Sequence, residues 1–161
     1  MRFIGSALVA SAIVLGACGG GEKAPATDAA APAAAPAAAA ATGTAAPITG
    51  TTHEVKMIGD EKGYRFEPKD ITVKAGDGIK FTFVSGGPHN VAFNPADIPA
   101  DVKAQLDANM GPDKLAELSS KMTMAAGESV TISFANIKAG TYPFNCTPHL
   151  AMGMKGTVTV Q

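Results

Sequence analysis

Histidine and cysteine are scarce in this chain of 161 residues, which has three of the first and two of the second. The imidazoles of His53, His89 and His149 limit how many metal ions can be held, and Cys18 and Cys146 leave no framework of disulfides to build a fold on. Neither sign of charge dominates: between Thr51 and Gln161 there are 11 Lys and Arg against 12 Asp and Glu. Nucleic acid and anionic lipid surfaces favour a basic excess, so neither is expected as the recognised partner. An apolar run long enough to span a bilayer is also missing. Ile4 to Ala17 is too short, and it comes after Arg2 with the charge and length of an export signal, so residues 1–17 read as a signal peptide.

The composition changes directly after that signal. Leu15-Gly16-Ala17-Cys18 resembles the lipobox of bacterial lipoproteins, in which small residues precede a cysteine that takes the lipid and becomes the mature N-terminus. The resemblance makes Cys18 the expected lipid attachment. Residues 24–47 contain 15 alanines and 4 prolines, with few large apolar side chains to offset the entropy of ordering, so residues 18–50 are expected to be a lipidated cysteine and a disordered tether. A coil of this length spans roughly 30 Å on average and roughly 100 Å when extended as polyproline II. That suffices for a small exported domain to swing between partners at a membrane, and equally for a plain spacer.

The remaining residues, 51–161, show a period of two. Val55/Met57, Ile71/Val73, Ile79/Phe81/Phe83, Val130/Ile132/Phe134 and Val158/Val160 alternate with polar or small neighbours, the pattern of strands with one buried face. Turn signals such as Ala75-Gly76-Asp77-Gly78 and Ser85-Gly86-Gly87-Pro88 separate them. The spacing predicts an all-β, antiparallel sandwich. One interval departs from it: Val102/Leu106 and Leu115/Leu118 are spaced for helical turns, with Asp97 and Asp113 near plausible starts, so one or two short helices are expected around 97–120.

If Cys18 carries lipid, Cys146 is an unpaired thiol in an exported domain. Its surroundings account for it: Cys146-Thr147-Pro148-His149-Leu150-Ala151-Met152-Gly153-Met154 places a thiol, an imidazole and two thioethers just before the last strand. Thiolate, imidazole and a weak axial thioether suit copper in both oxidation states. A second imidazole is needed, and His89, after a predicted strand, is the natural candidate.

Pro88-His89-Asn90-Val91-Ala92-Phe93 and the run from Gly140 to Gln161 closely resemble plastocyanins, and Cys146 to Met154 is also similar to pseudoazurins. The likeness extends more loosely back through Phe66-Glu67-Pro68 and Ile71 to Asp77. It implies a cupredoxin-like Greek-key β-sandwich with one copper ion bound by His89, Cys146, His149 and Met154. Met154 has the spacing of the plastocyanin axial ligand, whereas Met152 would match the tighter spacing of the similar amicyanins. The resemblance also gives Asn90 a bracing role through hydrogen bonds, against the plain alternative of a turn former. By the same analogy Pro88, Leu150, Ala151 and Met152 form an apolar docking patch around the solvent-facing edge of His149. Asn145 departs from the family, which usually carries tyrosine there, and the acidic clusters of many plastocyanins are missing.

Four protein ligands leave no open position on the metal, so the expected function is electron transfer by a monomeric carrier. Its partners would be redox proteins such as a cytochrome or a membrane oxidoreductase. An exported copper chaperone or scavenger would use the same ligands but needs an exchangeable site. A copper enzyme needs further histidines, and only His53 remains, read as a surface residue without a role. Zinc would find the thioether a poor fourth ligand. Met122 and Met124 are expected to pack in the core.

Overall fold

The two-residue alternation is realised as two four-stranded sheets enclosing one apolar core. The computed structural model describes residues 44–161; the signal peptide, Cys18 and most of the tether lie outside the described residues. Among the described residues eight strands and one α-helix run in order: β1 (Thr52–Asp60), β2 (Gly63–Glu67), β3 (Asp70–Val73), β4 (Gly78–Phe83), β5 (Ala92–Phe93), α1 (Ala100–Asn109), β6 (Ser129–Ser133), β7 (Gly140–Asn145) and β8 (Lys155–Val160). One sheet has the order β2-β1-β4-β6 and the other β3-β8-β7-β5.

The sandwich is mixed rather than purely antiparallel. β1 pairs in parallel with β4, and β3 with β8, while the other ladders are antiparallel. The cause is topological: the chain leaves the first sheet after β2, lays β3 in the second and returns as β4, and only such a crossover can bring strands together in the same direction. Every residue of the alternating set is buried except Ile71, which is partly so. Phe66, Phe81 and Phe144 meet edge to face, with Phe66 and Phe144 4.7 Å apart between ring centres. Burying each contributes roughly 1.5–3 kcal/mol.

Of the one or two short helices expected around 97–120, one α-helix forms. α1 buries Val102 and Leu106 and starts at Pro99 without a side-chain cap, because Asp97 accepts a hydrogen bond from Asn94 Nδ2 instead (3.0 Å). Gly111-Pro112 ends the helical pattern. Beyond it Leu115 is 57% exposed, Leu118 is buried at φ +55°, and the Leu118 N–H donates to Asp107 Oδ1 at 2.7 Å. A carboxylate reaching back from α1 thus captures the donor that a second helix would have needed, and Asp113 starts no helix. Met124 is exposed and Met122 half-buried, so neither belongs to the core as expected.

Order also begins before Thr51. The Ala46 N–H donates to Asn109 Oδ1 (2.8 Å), and the N–H groups of Thr49 and Gly50 both donate to Gly76 O. Asn109 is buried and its Nδ2 donates to Ser133 O and Ala135 O. It therefore ties residue 46, helix α1 and the end of β6 to one side chain.

His53, expected to be without a role, has a partner: its Nε2 lies 3.0 Å from Asp77 Oδ2. The same carboxylate accepts the N–H groups of Thr51 (2.8 Å) and Lys74 (3.0 Å). These contacts hold Asp77 down to about 2 from the usual 3.8, the Lys74 N–H contributing most, then His53 and Thr51. A depressed carboxyl stabilises the fold wherever it is ionised in both states, and that contribution is lost as the pH falls through the folded value. Unfolding free energy of the wild type should therefore drop between about pH 4 and pH 2 more steeply than that of Asp77→Asn, as read by urea titration; parallel curves would refute it.

Candidate metal centre

β4 and β7 deliver the chemistry to one end of the sandwich. After β4 the chain turns through Ser85-Gly86-Gly87-Pro88 and places His89 in a two-residue bridge with Thr123, His89 N donating to Thr123 O and Thr123 N to His89 O (3.0 and 2.8 Å). Thr123 Oγ1 also donates to His89 O at 2.9 Å. The backbone around this histidine is thus clamped on both sides, and its side chain is wholly buried.

Cys146 directly follows β7, and a 3₁₀ segment, Thr147–Met152, returns the chain to β8. The segment closes on itself: His149 N donates to Cys146 O (3.1 Å), Met154 N to His149 O (3.2 Å) and Cys146 N to Met154 O (3.0 Å). Gly153, at φ +82°, ends it in the left-handed conformation, and its N–H donates to Leu150 O. Glycine adopts that conformation without a steric penalty. Pro148, in the first turn of the segment, supplies a φ already suited to a helical start.

These two loops bring three donor atoms together. Cys146 Sγ lies 3.6 Å from His89 Nδ1 and 3.4 Å from His149 Nδ1, and the one donor atom from each of His89, Cys146 and His149 lies within 4.8 Å of the others. His89 Nε2 donates to Ser85 O at 2.8 Å. A carbonyl can only accept, so in the neutral ring Nδ1 is the free lone pair, and it faces the sulfur. Burial pushes both imidazoles toward their neutral form; the Ser85 hydrogen bond opposes this for His89, and the nearby His89 reinforces it for His149. Burial also pushes the Cys146 thiol up, with backbone N–H groups of Asn90 and His149 pulling the other way. A thiolate here is costly unless a cation replaces its proton, and two neutral imidazole nitrogens stand ready to share that cation.

Asn90 is more than a turn former. Its Oδ1 accepts the Thr147 N–H at 2.8 Å, and its Nδ2 donates to Ser119 Oγ and Thr147 Oγ1, both at 3.1 Å. The residue after one histidine therefore fastens the residue after the cysteine, fixing the distance between the two loops. Met154 is fully buried directly after the loop, whereas Met152 is 60% exposed. Of the two thioethers, Met154 alone shares the buried end with the three donors.

Pro88, Leu150, Ala151 and Met152 are all exposed around this end. The solvent-facing edge expected for His149 is small, since the residue is only 6% exposed. Part of the reason is Tyr64, which no motif in the sequence singles out: its ring stacks on His149. The spacing alone carries a signal, because Tyr64 and Phe66 lie two apart on β2 and so share its inward face. Phe83 closes the other histidine, its ring edge-on to His89 at 4.9 Å and 88°. Asn145 lines a groove of about 580 Å³ with Leu150, Lys69 and Asp97.

Residues 53–161 match the family described as copper binding proteins, plastocyanin/azurin family. The chain is 40% identical over 111 residues to plastocyanin of Nostoc punctiforme, covering 68% of this chain and 74% of that protein. It is 38% identical over 107 residues to plastocyanin A/B of Petroselinum crispum, covering 66% and 98%. Among solved structures, the oxidized plastocyanin of Dryopteris crassirhizoma superposes with a TM-score of 0.53 at 35% identity, covering 67% of this chain and 99% of that one.

Replacing Asn90 by Ala removes the partner of the Thr147 N–H and of the Ser119 and Thr147 hydroxyls. Loss of roughly 1–3 kcal/mol is expected in denaturant unfolding of the copper-free protein; an unchanged midpoint and slope would show that the brace carries no weight.

Proposed function

Because the chain belongs to the plastocyanin/azurin family of copper-binding proteins, we propose that His89, Cys146, His149 and Met154 hold its single copper ion and that the domain carries electrons between redox proteins on the exported side of a membrane. The observation that carries this reading is the convergence of a buried thiol and two buried imidazole nitrogens within 4.8 Å, on loops fastened to each other before any metal arrives. Bound copper supplies a one-electron couple between Cu(II) and Cu(I). The polypeptide supplies the rest: two neutral imidazoles, a buried sulfur whose thiolate is favourable only with a cation in place of its proton, and a dry, braced pocket that resists rearrangement between oxidation states. The protein is an electron carrier and not an enzyme.

A chaperone or scavenger needs ligands that another protein can reach, and the complete burial of His89, Cys146 and Met154 favours the carrier. Zinc fits less well, since the fourth residue in the buried end offers a thioether. For docking, the exposed Pro88, Leu150, Ala151 and Met152 form a small apolar rim around the narrow edge of His149. A patch of that size suits brief encounters that bury under about 1,200 Å². With charges balanced over the domain, a cytochrome or membrane oxidoreductase would be recognised by this rim, with little electrostatic steering.

Among the described residues no helix is long and apolar enough to cross a membrane. Membrane association is assigned instead to a lipid on Cys18, with the Ala/Pro-rich segment as its leash and the domain as a monomer beyond it. In cells, Cys18→Ser should move the protein from the membrane fraction to the soluble fraction; an unchanged distribution contradicts the anchor.

Copper itself decides the central claim. Adding Cu(II) to the purified protein should give an intense visible thiolate-to-copper band that Cys146→Ser abolishes and Met152→Leu leaves in place, while Met154→Leu alters its energy. A colourless wild type of low copper affinity would overturn the reading.

A further inference from the structure

Two histidines converge on Cys146, but they are held by different means. His89 has its outer nitrogen fixed by the Ser85 carbonyl at 2.8 Å, the usual way in which a protein sets the plane of a ligating imidazole. For His149, the only side-chain contact of a ring nitrogen among the described residues is Nδ1 with Cys146 Sγ. What meets its ring instead is Tyr64. The two ring centres are 3.8 Å apart and the planes 14° from parallel, whereas the other contacts of Tyr64 and Phe83 in this end are edge-on to His89.

This stack is built by the backbone. Tyr64 pairs across the β1–β2 ladder with Gly59, and a Cβ at residue 59 would stand 2.6 Å from Tyr64 Cε1 and 2.8 Å from Cδ1. The tyrosine ring lies where it does because its cross-strand neighbour has no side chain. The Gly59 N–H in turn donates to Ser85 O at 2.8 Å, the carbonyl that also receives His89 Nε2. One carbonyl therefore fixes the first imidazole directly, and through Gly59 it fixes the strand on which the stacking ring rests.

From this geometry we infer that Tyr64 is a positioning residue for His149: its ring does by stacking what the Ser85 carbonyl does for His89 by hydrogen bonding, holding the imidazole plane fixed in both oxidation states. Aromatic stacking of this kind contributes beyond the area it buries. It also covers one face of His149, which leaves the edge beside Leu150 and Met152 as the exposed remainder. The inference rests on the copper reading above, in which His149 is a ligand.

The test compares the full-length wild-type protein with Tyr64→Phe and Tyr64→Leu, each loaded with copper. In Tyr64→Leu the visible band and the copper hyperfine splitting should shift, the midpoint potential should move, and reduced copper should pass to a chelator on the order of tenfold faster. Tyr64→Phe, which keeps the ring, should match the wild type in all of these. In the diamagnetic Cu(I) wild type, nuclear Overhauser contacts between the Tyr64 and His149 ring protons are expected. They serve as the deciding measurement if Tyr64→Leu does not fold. A blue wild type with Tyr64→Leu indistinguishable from it in spectrum, potential and release rate would overturn the role of Tyr64 and leave the copper site standing, as would missing ring-to-ring contacts. A colourless wild type would overturn both.

Discussion

A thiol pressed against two imidazoles in a dry pocket is the constraint on which the rest of this protein depends. Left to itself it is an unfavourable arrangement, because burial disfavours every charged form that the three groups could adopt. The surrounding structure holds them there regardless. The His89–Thr123 bridge, the closed ring of backbone hydrogen bonds from Cys146 to Met154 and the Asn90–Thr147 staple each fix a loop that would otherwise relax away. The cost of assembling donors is met on folding, and a soft metal ion is what would make the arrangement favourable.

Rigidity of this kind has a functional consequence. A carrier that must accept and release an electron quickly benefits from a site that needs little rearrangement, and the two loops are joined by side-chain hydrogen bonds rather than by the metal alone. The two imidazoles are restrained unequally, one by a carbonyl and the other by a tyrosine ring. The less enclosed of the two is also the one nearest solvent, at the rim formed by Pro88, Leu150, Ala151 and Met152. Under the proposed function, electron entry and copper retention would fall on different parts of one site, with His149 at the boundary between them.

Far from this end, the start of the domain is secured by other means. β1 and β4 run parallel from Thr52 and Gly78, so Thr51, His53 and Asp77 lie at the strand starts, while His89 comes after the end of β4. At roughly 3.3 Å per residue, the length of β1 separates the His53–Asp77 pair from the metal centre. The loops that carry the donors can be shaped for chemistry because the sheets' other end, with Asn109 and Asp77 as buried polar fasteners, holds the framework.

Much of this could be read from the order of residues. The two-residue alternation located the strands, since a pleated strand with one buried face imposes it. The crowding of Cys146, His149 and two methionines within nine residues identified the chemistry, since few folds have a use for that donor set. Other features depended on contacts across the chain. The helical spacing of Leu115 and Leu118 gives no second helix because Asp107 takes the Leu118 N–H; His53 finds Asp77 24 residues away in sequence; Tyr64 reaches His149 only because Gly59 lies beneath it. Local sequence settled which groups could bind a metal, because ligand chemistry belongs to the residue type. Tertiary structure alone decided how far apart those groups stand, which methionine shares their pocket and what restrains each ring, because these are distances between segments that only the packing of two sheets brings together.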